Sequence, residues 1–231
     1  MSLAEAPDKP FGGSRSMVGF AACPVCRDPA HLVPFCQVGP LPYWRCTLCK
    51  ATLLDPSHHV SADAERAHYL THENDAHDER YLTHLRRLTD PLLKKLHSPS
   101  KGLDFGCGPG PALNHLCERS NHQVTLYDLH FAPDEAALDQ TYDFLTATEV
   151  IEHLVDPAGT FDLFERLVGS GGLIGLMTCF QTEDARFANW TYRRDPTHIV
   201  FYRAETFHVI GQKRGWRLEI PAKDVVLIEV P

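Results

Sequence analysis

The segment Leu103-Asp104-Phe105-Gly106-Cys107-Gly108-Pro109-Gly110 decides the fold. Residues 101–105 read as a short strand that runs straight into a glycine-rich turn, and Pro111 to Arg119 then carry the spacing of a helix. Gly106 and Gly108 let the backbone approach a ligand with no Cβ in the way. Asp128 follows 22 residues after Gly106, at the end of the next predicted strand, Gln123 to Tyr127. There a carboxylate can accept hydrogen bonds from ribose hydroxyls. A nicotinamide site shares these features. Asp104 separates the two readings, because dinucleotide folds prefer an apolar residue in the strand just before the glycines.

Downstream, short apolar strands alternate with helices. Tyr142 to Thr148 reads as a strand, residues 157–168 as a helix and Leu173 to Thr178 as a strand after Gly171-Gly172. A helix over residues 204–214 and two strands, Trp216 to Ile220 and Val225 to Val230, complete the chain. This order predicts an open, doubly wound α/β sheet with its ligands at the carboxyl ends of the strands.

The acidic-x-G-x-G-x-G run resembles the first motif of the class I S-adenosylmethionine (SAM)-dependent methyltransferases, over about residues 60–231. The resemblance implies a Rossmann-like α/β sheet closed by an antiparallel last strand. It places Asp104, Gly106, Gly108 and Gly110 along the methionine end of SAM, with Cys107 among the contacting backbone positions and Asp128 on the ribose. One departure is plain: about 14 residues separate Asp128 from Tyr142, too few for a further helix and strand. The family's adenine-binding acid therefore has no secure counterpart, and Asp134, Glu135 and Asp139 are its nearest substitutes.

After the strand ending at Thr148 comes Glu149-Val150-Ile151-Glu152-His153. Positions i, i+3 and i+4 share a face on a helical turn, so Glu149, Glu152 and His153 can converge. Two carboxylates and an imidazole suit Mg2+, Mn2+ or a related divalent ion in an open site. His198, in the loop after the strand Leu173 to Thr178, is the fourth candidate ligand. The pattern is similar to the metal site of the polyprenyl-catechol O-methyltransferases of ubiquinone biosynthesis and of the small-RNA terminal 2'-O-methyltransferases. That resemblance implies Glu149, Glu152, His153 and His198 as ligands. The alternative is a metal-free network in which His153 or His198 acts as general base. Residues 183–203 mix Phe187, Trp190, Tyr192, Phe201 and Tyr202 with Arg186, Arg193, Arg194 and Arg203. They read either as a substrate loop or as a lid packed on its own domain.

Toward the amino terminus, Cys23-Pro-Val-Cys26 and Cys46-Thr-Leu-Cys49 give the pattern C-x2-C-x19-C-x2-C, the spacing of a zinc ribbon. Four thiolates close the coordination sphere, so the metal's expected part is structural. Cys36 is a spare. Ser61 is placed to cap a helix, Leu82, Leu85, Leu88, Leu92 and Leu96 recur at helical spacing, and Asp90-Pro91 predicts a break into two helices. His68, His72, His77 and His84 decorate the first of them, either as exposed polar positions on an amphipathic helix or, for some of them, as ligands sharing one helical face. The expected organisation is a flexible tail over 1–18, a zinc ribbon over 19–56, a helical linker or lid over 57–100 and a SAM-binding domain over 101–231.

With 43% hydrophobic and 23% charged residues, no run of 18 apolar residues and no signal-like start, the sequence predicts a soluble, cytoplasmic globular protein. Net charge is -8, and it is uneven: residues 1–100 carry 11 charges of each sign, residues 101–231 carry 11 basic and 19 acidic. An acidic major domain disfavours a nucleic-acid partner. The expected function is O-methylation of a small molecule with catechol-like or vicinal hydroxyls. The competing readings are an RNA, nucleotide or sugar methyltransferase docking through the ribbon, and a non-catalytic SAM-binding protein. Oligomeric state is not legible.

Overall fold

The computed structural model describes residues 19–70, 78–110 and 112–231. The expected tail over 1–18, Pro111, His72 and His77 lie outside them. Two sheets organise the chain. The larger has six strands in the order β5 (Gln123–Tyr127), β4 (Lys101–Phe105), β6 (Phe144–Thr148), β7 (Leu173–Met177), β10 (Val225–Glu229), β9 (Arg217–Ala222). β4 pairs in parallel with β5 and β6, and β6 with β7, while β10 runs antiparallel to both β7 and β9. This is the predicted Rossmann-like sheet with its reversed last strands. β6 and β7 are buried on both faces apart from their ends, which is why they read as continuous apolar runs.

Helices cover both faces: α1 (Ala62–Tyr69), α2 (Glu79–Leu93), α3 (Ala112–Glu118), α4 (Pro157–Val168) and α5 (Ala204–Arg214). Ser61 caps α1 by accepting from Ala64 N, and Asp78 caps α2 by accepting from Arg80 N. The predicted break at Asp90-Pro91 does not occur. α2 runs through Pro91, because Leu85, Leu88 and Leu92 are buried against the sheet and α3, and that packing outweighs the lost backbone bond. Gly175 on β7 makes the close approach: a Cβ there would stand 2.9 Å from Leu88 Cδ1.

The smaller sheet is antiparallel, ordered β1 (Leu32–Val38), β2 (Leu41–Cys46), β3 (Thr52–Leu54), β8 (Val200–Phe201). Its last strand comes from the segment between β7 and α5, so the chain's start and its carboxyl-terminal half share one hydrogen-bonded sheet. They also share a core, in which Tyr43, Phe187 and Phe201 pack edge to face with centroids 4.9–6.0 Å apart. The lid alternative for residues 183–203 is therefore the better description. Phe187 and Phe201 are buried in this contact, and Arg193 and Arg203 bond to Ala188 O, Tyr43 Oη and Asp184. Among the described residues no helix is long and apolar enough to cross a membrane.

Candidate active site

A cavity of about 590 Å³ opens at the carboxyl ends of β4, β5 and β6. The glycine turn forms one end. Gly106 takes φ +76°, and a Cβ there would meet Val150 Cγ2 at 2.4 Å, so glycine is required by both conformation and space. The Gly106 and Cys107 N–H groups donate to Tyr127 O, which ties the turn to the end of β5. Asp128 braces the same turn: Oδ2 accepts from Gly108 N at 3.0 Å, and Oδ1 accepts from His130 N and Phe131 N. Asp104 lies beneath, accepting from Thr146 Oγ1 at 2.9 Å. Burial pushes its carboxyl up to about 7, with the Asp128 charge adding to the shift and the Thr146 bond opposing it. Asp104, Gly106, Cys107, Gly108, Gly110 and Asp128 all line this end. Asp134 does not; it caps the 3-10 turn Glu135–Asp139 through Ala136 N.

The other end is built from distant segments. Glu149 follows β6 with φ +53°, a left-handed conformation uncommon for a residue with a Cβ, costing on the order of 1–3 kcal/mol. Glu152 and His153 follow in a single 3-10 turn, Ile151–His153. Glu149 thus lies before the turn, and the helical face expected for all three residues does not form. The ligand atoms that come within 4.8 Å of one another are those of Glu152, His153 and His198. His153 Nδ1–H donates to Thr197 O at 3.1 Å and His198 Nδ1–H to Tyr192 O at 2.8 Å. Both rings consequently keep Nε2 bare. Burial holds both imidazoles neutral, His153 pulled down to about 3 and His198 also lowered.

Glu152 is fully buried, and one of its oxygens, Oε2, has no partner; Thr148 Oγ1 beside the cavity is similarly bare. Burial and the neighbouring Glu149 carboxylate raise the Glu152 carboxyl well above its usual range. Glu149 goes the other way: its burial is outweighed by the nearby His84 imidazole and by its Glu152 and Tyr192 partners. A carboxyl group with one unpartnered oxygen, grouped with two fixed imidazoles, fits a divalent cation by donor type and by the orienting bonds behind the rings.

Three participants lie outside the predicted donor set. Tyr192 Oη donates toward Glu149 Oε2 (2.9 Å) and Glu152 Oε1 (2.5 Å). His84 Nε2 stands 3.8 Å from Glu149 Oε1, and His68 Nε2 lies 3.1 Å from Asp195 Oδ2. The reading of His68 and His84 as exposed is thereby corrected: α1 and α2 turn them toward the site. The sequence signal is their helical phase, one or three positions from Glu65, Tyr69, Tyr81 and Leu85, which line the cavity together with His84.

Residues 76–219 match a family model described as a methyltransferase domain, more than half of the chain. The chain belongs to that family. It is a SAM-dependent methyltransferase. No curated protein matches the sequence. Among solved structures, the methyltransferase is similar to a SAM-dependent methyltransferase from Archaeoglobus fulgidus at 20% identity, covering 61% of this chain and 70% of that one with a TM-score of 0.47. A chain in a complex of the Haloferax volcanii Trm112 methyltransferase activator and a methyltransferase matches at 11% identity, 73% and 97% coverage and a TM-score of 0.45. An O-methyltransferase family protein from Burkholderia thailandensis matches at 11% identity, 67% and 61% coverage and a TM-score of 0.40. At these scores none of the three bears on acceptor, metal or assembly.

Remote from the cavity, the sulfurs of Cys23, Cys26, Cys46 and Cys49 lie within 4.8 Å of one another, all four residues buried. The Cys23–Cys49 and Cys26–Cys46 sulfur pairs are 3.7 Å apart, too far for a disulfide. Thiolates about 2.3 Å from a tetrahedral zinc ion have nearly that spacing. Each Cys pair sits in a matching turn: Arg27 N donates to Cys23 O and Lys50 N to Cys46 O, with Arg27 and Lys50 both at positive φ.

Proposed function

We propose that this methyltransferase transfers the SAM methyl group to a hydroxyl of a small catechol-like or vicinal-diol acceptor, assisted by a divalent ion of the Mg2+ or Mn2+ kind. One observation carries the reading: donor atoms of Glu152, His153 and His198 lie within 4.8 Å of one another, and His153 and His198 line the cavity while Glu152, with one unpartnered buried oxygen, stands directly behind them. Glu152, His153 and His198 would hold the ion, with Glu149 as an adjoining carboxylate. When bound, such an ion lowers the pKa of a coordinated hydroxyl. This makes the protein akin in chemistry to the ubiquinone-biosynthesis O-methyltransferases that its E-x-x-E-H run resembles.

The protein's own groups do the rest. Asp104, Gly106, Cys107, Gly108 and Gly110 cradle the methionine end of SAM, and Asp128 takes the ribose. Tyr69 and His130, at 5.9 Å between centroids, and Tyr81 wall the space where an acceptor ring lies. Holding the oxygen in line with the sulfonium methyl is the main catalytic task. His153 and His198, neutral and with Nε2 bare, accept the hydroxyl proton if no ion is held. The cavity wall carries Glu65, Asp104, Asp128, Glu149 and Asp195 and, among the described residues, no lysine or arginine. That charge favours an uncharged acceptor over a nucleic acid. The four cysteines hold a structural zinc ion in a ribbon over residues 19–56, residues 57–100 close over the SAM-binding domain, and the protein works in the cytoplasm.

The test is Mn2+ binding to zinc-loaded protein saturated with S-adenosylhomocysteine (SAH), following free Mn2+ by electron paramagnetic resonance. We expect one site, lost in Glu152→Ala with SAH affinity nearly unchanged. Absence of that site would remove the metal and move the chemistry to a histidine base.

A further inference from the structure

We infer that Tyr192 is the positioning residue of the acceptor end, holding three of its four donor side chains from one backbone position. The inference rests on the reading of Glu149, Glu152, His153 and His198 as the acceptor-side donors. The Tyr192 hydroxyl meets Glu149 Oε2 at 2.9 Å and Glu152 Oε1 at 2.5 Å. Its oxygen is met from behind by Thr178 Oγ1 at 3.1 Å and Cys179 N–H at 3.3 Å. A phenol has one proton and accepts two bonds, so all its capacity is used, with the proton directed between the two carboxyl groups. The carbonyl of the same residue accepts the Nδ1–H of His198 at 2.8 Å, and the two rings lie 4.1 Å apart. That bond leaves His198 Nε2 bare and aimed at the cavity. His153 depends on Tyr192 at one remove, its Nε2 lying 4.0 Å from Glu152 Oε1.

A residue that only filled the core would do as well as phenylalanine. This hydroxyl is buried against charge, which costs free energy unless the geometry it enforces is used. Its placement is also relayed from the amino-terminal sheet. Trp190 lies 5.1 Å from the Tyr192 ring, Phe187 is 6.5 Å from Trp190, Tyr43 of β2 is 4.9 Å from Phe187, and the neighbouring Arg193 donates to Tyr43 Oη at 3.1 Å. The four-cysteine sheet is thereby connected to the acceptor end although none of residues 19–56 lines the cavity.

The variant is Tyr192→Phe in the full, zinc-loaded chain, which keeps the ring and the backbone carbonyl and removes only the hydroxyl. In SAH-saturated protein we expect Mn2+ affinity to fall roughly 10–100-fold, the usual loss when an orienting partner of a ligand is removed. SAH affinity stays within about twofold and the melting profile remains cooperative, results that a folding defect would not give. Unchanged Mn2+ affinity overturns the inference. If the wild type takes up no Mn2+, the cation reading fails separately, and histidine ring 15N shifts of the metal-free protein decide. Movement of the His153 and His198 signals, with remote His122 unmoved, supports the positioning role, and unmoved signals overturn it. Thr178→Val, which takes one partner from the phenol, shifts the same signals less.

Discussion

The two ends of the cavity are made in opposite ways. The glycine-turn end, proposed above to hold SAM, is local: one strand, one turn and the residue that follows the next strand, with Asp104 through Asp128 all within 25 residues. The acceptor end is assembled from four places: α1 and α2, the turn after β6, and the segment from Tyr192 to His198, which is itself seated on the amino-terminal sheet. A local site is stable whenever its strand and turn form. A collected site exists only when every contributing element is docked, so its precision depends on residues far from the chemistry.

The largest effect should come from the four cysteines. Cys46→Ser removes a thiolate that is 3.7 Å from Cys26 Sγ and ends β2. If the ribbon holds zinc, the variant loses about one zinc ion per chain by elemental analysis, and because such an ion supplies folding free energy its melting temperature falls by roughly 10 °C or more. Hydrogen exchange sharpens the comparison. Amides of β2, β3, β8 and residues 183–203 lose protection first, while those of β4 to β5 keep theirs. Equal loss across both regions would show that the two ends stand or fall together.

Gly106→Ala attacks the local end. The added methyl meets Val150 in a backbone conformation that alanine adopts poorly, so strain and clash act together. We expect SAH affinity by calorimetry to fall about 100-fold, near 3 kcal/mol, with zinc content unchanged. It is the converse of Glu152→Ala, which should spare SAH and abolish Mn2+ binding.

The same contrast explains what was legible in the sequence. Asp104, the glycines and the strand order follow from neighbouring residues, since a strand-turn-helix unit carries its instructions in consecutive positions. The E-x-x-E-H run was legible as a donor set, but its geometry was not. The i, i+3, i+4 spacing predicts a helical face where the chain makes one 3-10 turn after a left-handed Glu149. Tyr192, His84 and His68 were opaque for a different reason: their partners lie 43, 65 and 127 positions away in the chain. Pro91 misled because a local rule was overridden by the packing of Leu88 and Leu92. The aromatic and arginine-rich run over 183–203 had the composition of a binding loop, and composition cannot say whether its rings face a ligand or Tyr43.

A smaller effect separates burial from binding at the SAM end. Asp104 has its carboxyl raised to about 7 by burial, above the ordinary 3.8 of the unfolded chain. The folded state therefore holds a proton that the unfolded state releases between those values. This contribution to stability is present below about pH 4 and is lost as pH rises through about 7, on the order of a few kcal/mol in all. Asp104→Asn should remove that slope, so the SAM-free variant melts several degrees above wild type at pH 8 and close to it at pH 4. Its affinity for cationic SAM should nonetheless drop. A variant with the wild-type pH slope would assign the loss of stability to another group.

The smallest effect tests the missing strand. The sheet has β5 at its edge, and the residues between Asp128 and β6 form only an isolated bridge and a 3-10 turn. Asp134 spends its carboxylate on Ala136 N, outside the cavity, so Asp134→Ala should cost about 1 kcal/mol of cap and a fall of about 2–4 °C in melting temperature. SAH affinity should stay within about twofold. Leu129, His130, Phe131 and Val155 border the cavity instead, with Leu129 and Val155 about 70% exposed, and on the proposed reading they would cover the adenine. Such exposed aliphatic side chains gain from covering a flat ring, whereas a capping carboxylate already has its donor. Leu129→Ser should therefore weaken SAH more than Asp134→Ala does, and the reverse order would return an acidic residue to the adenine.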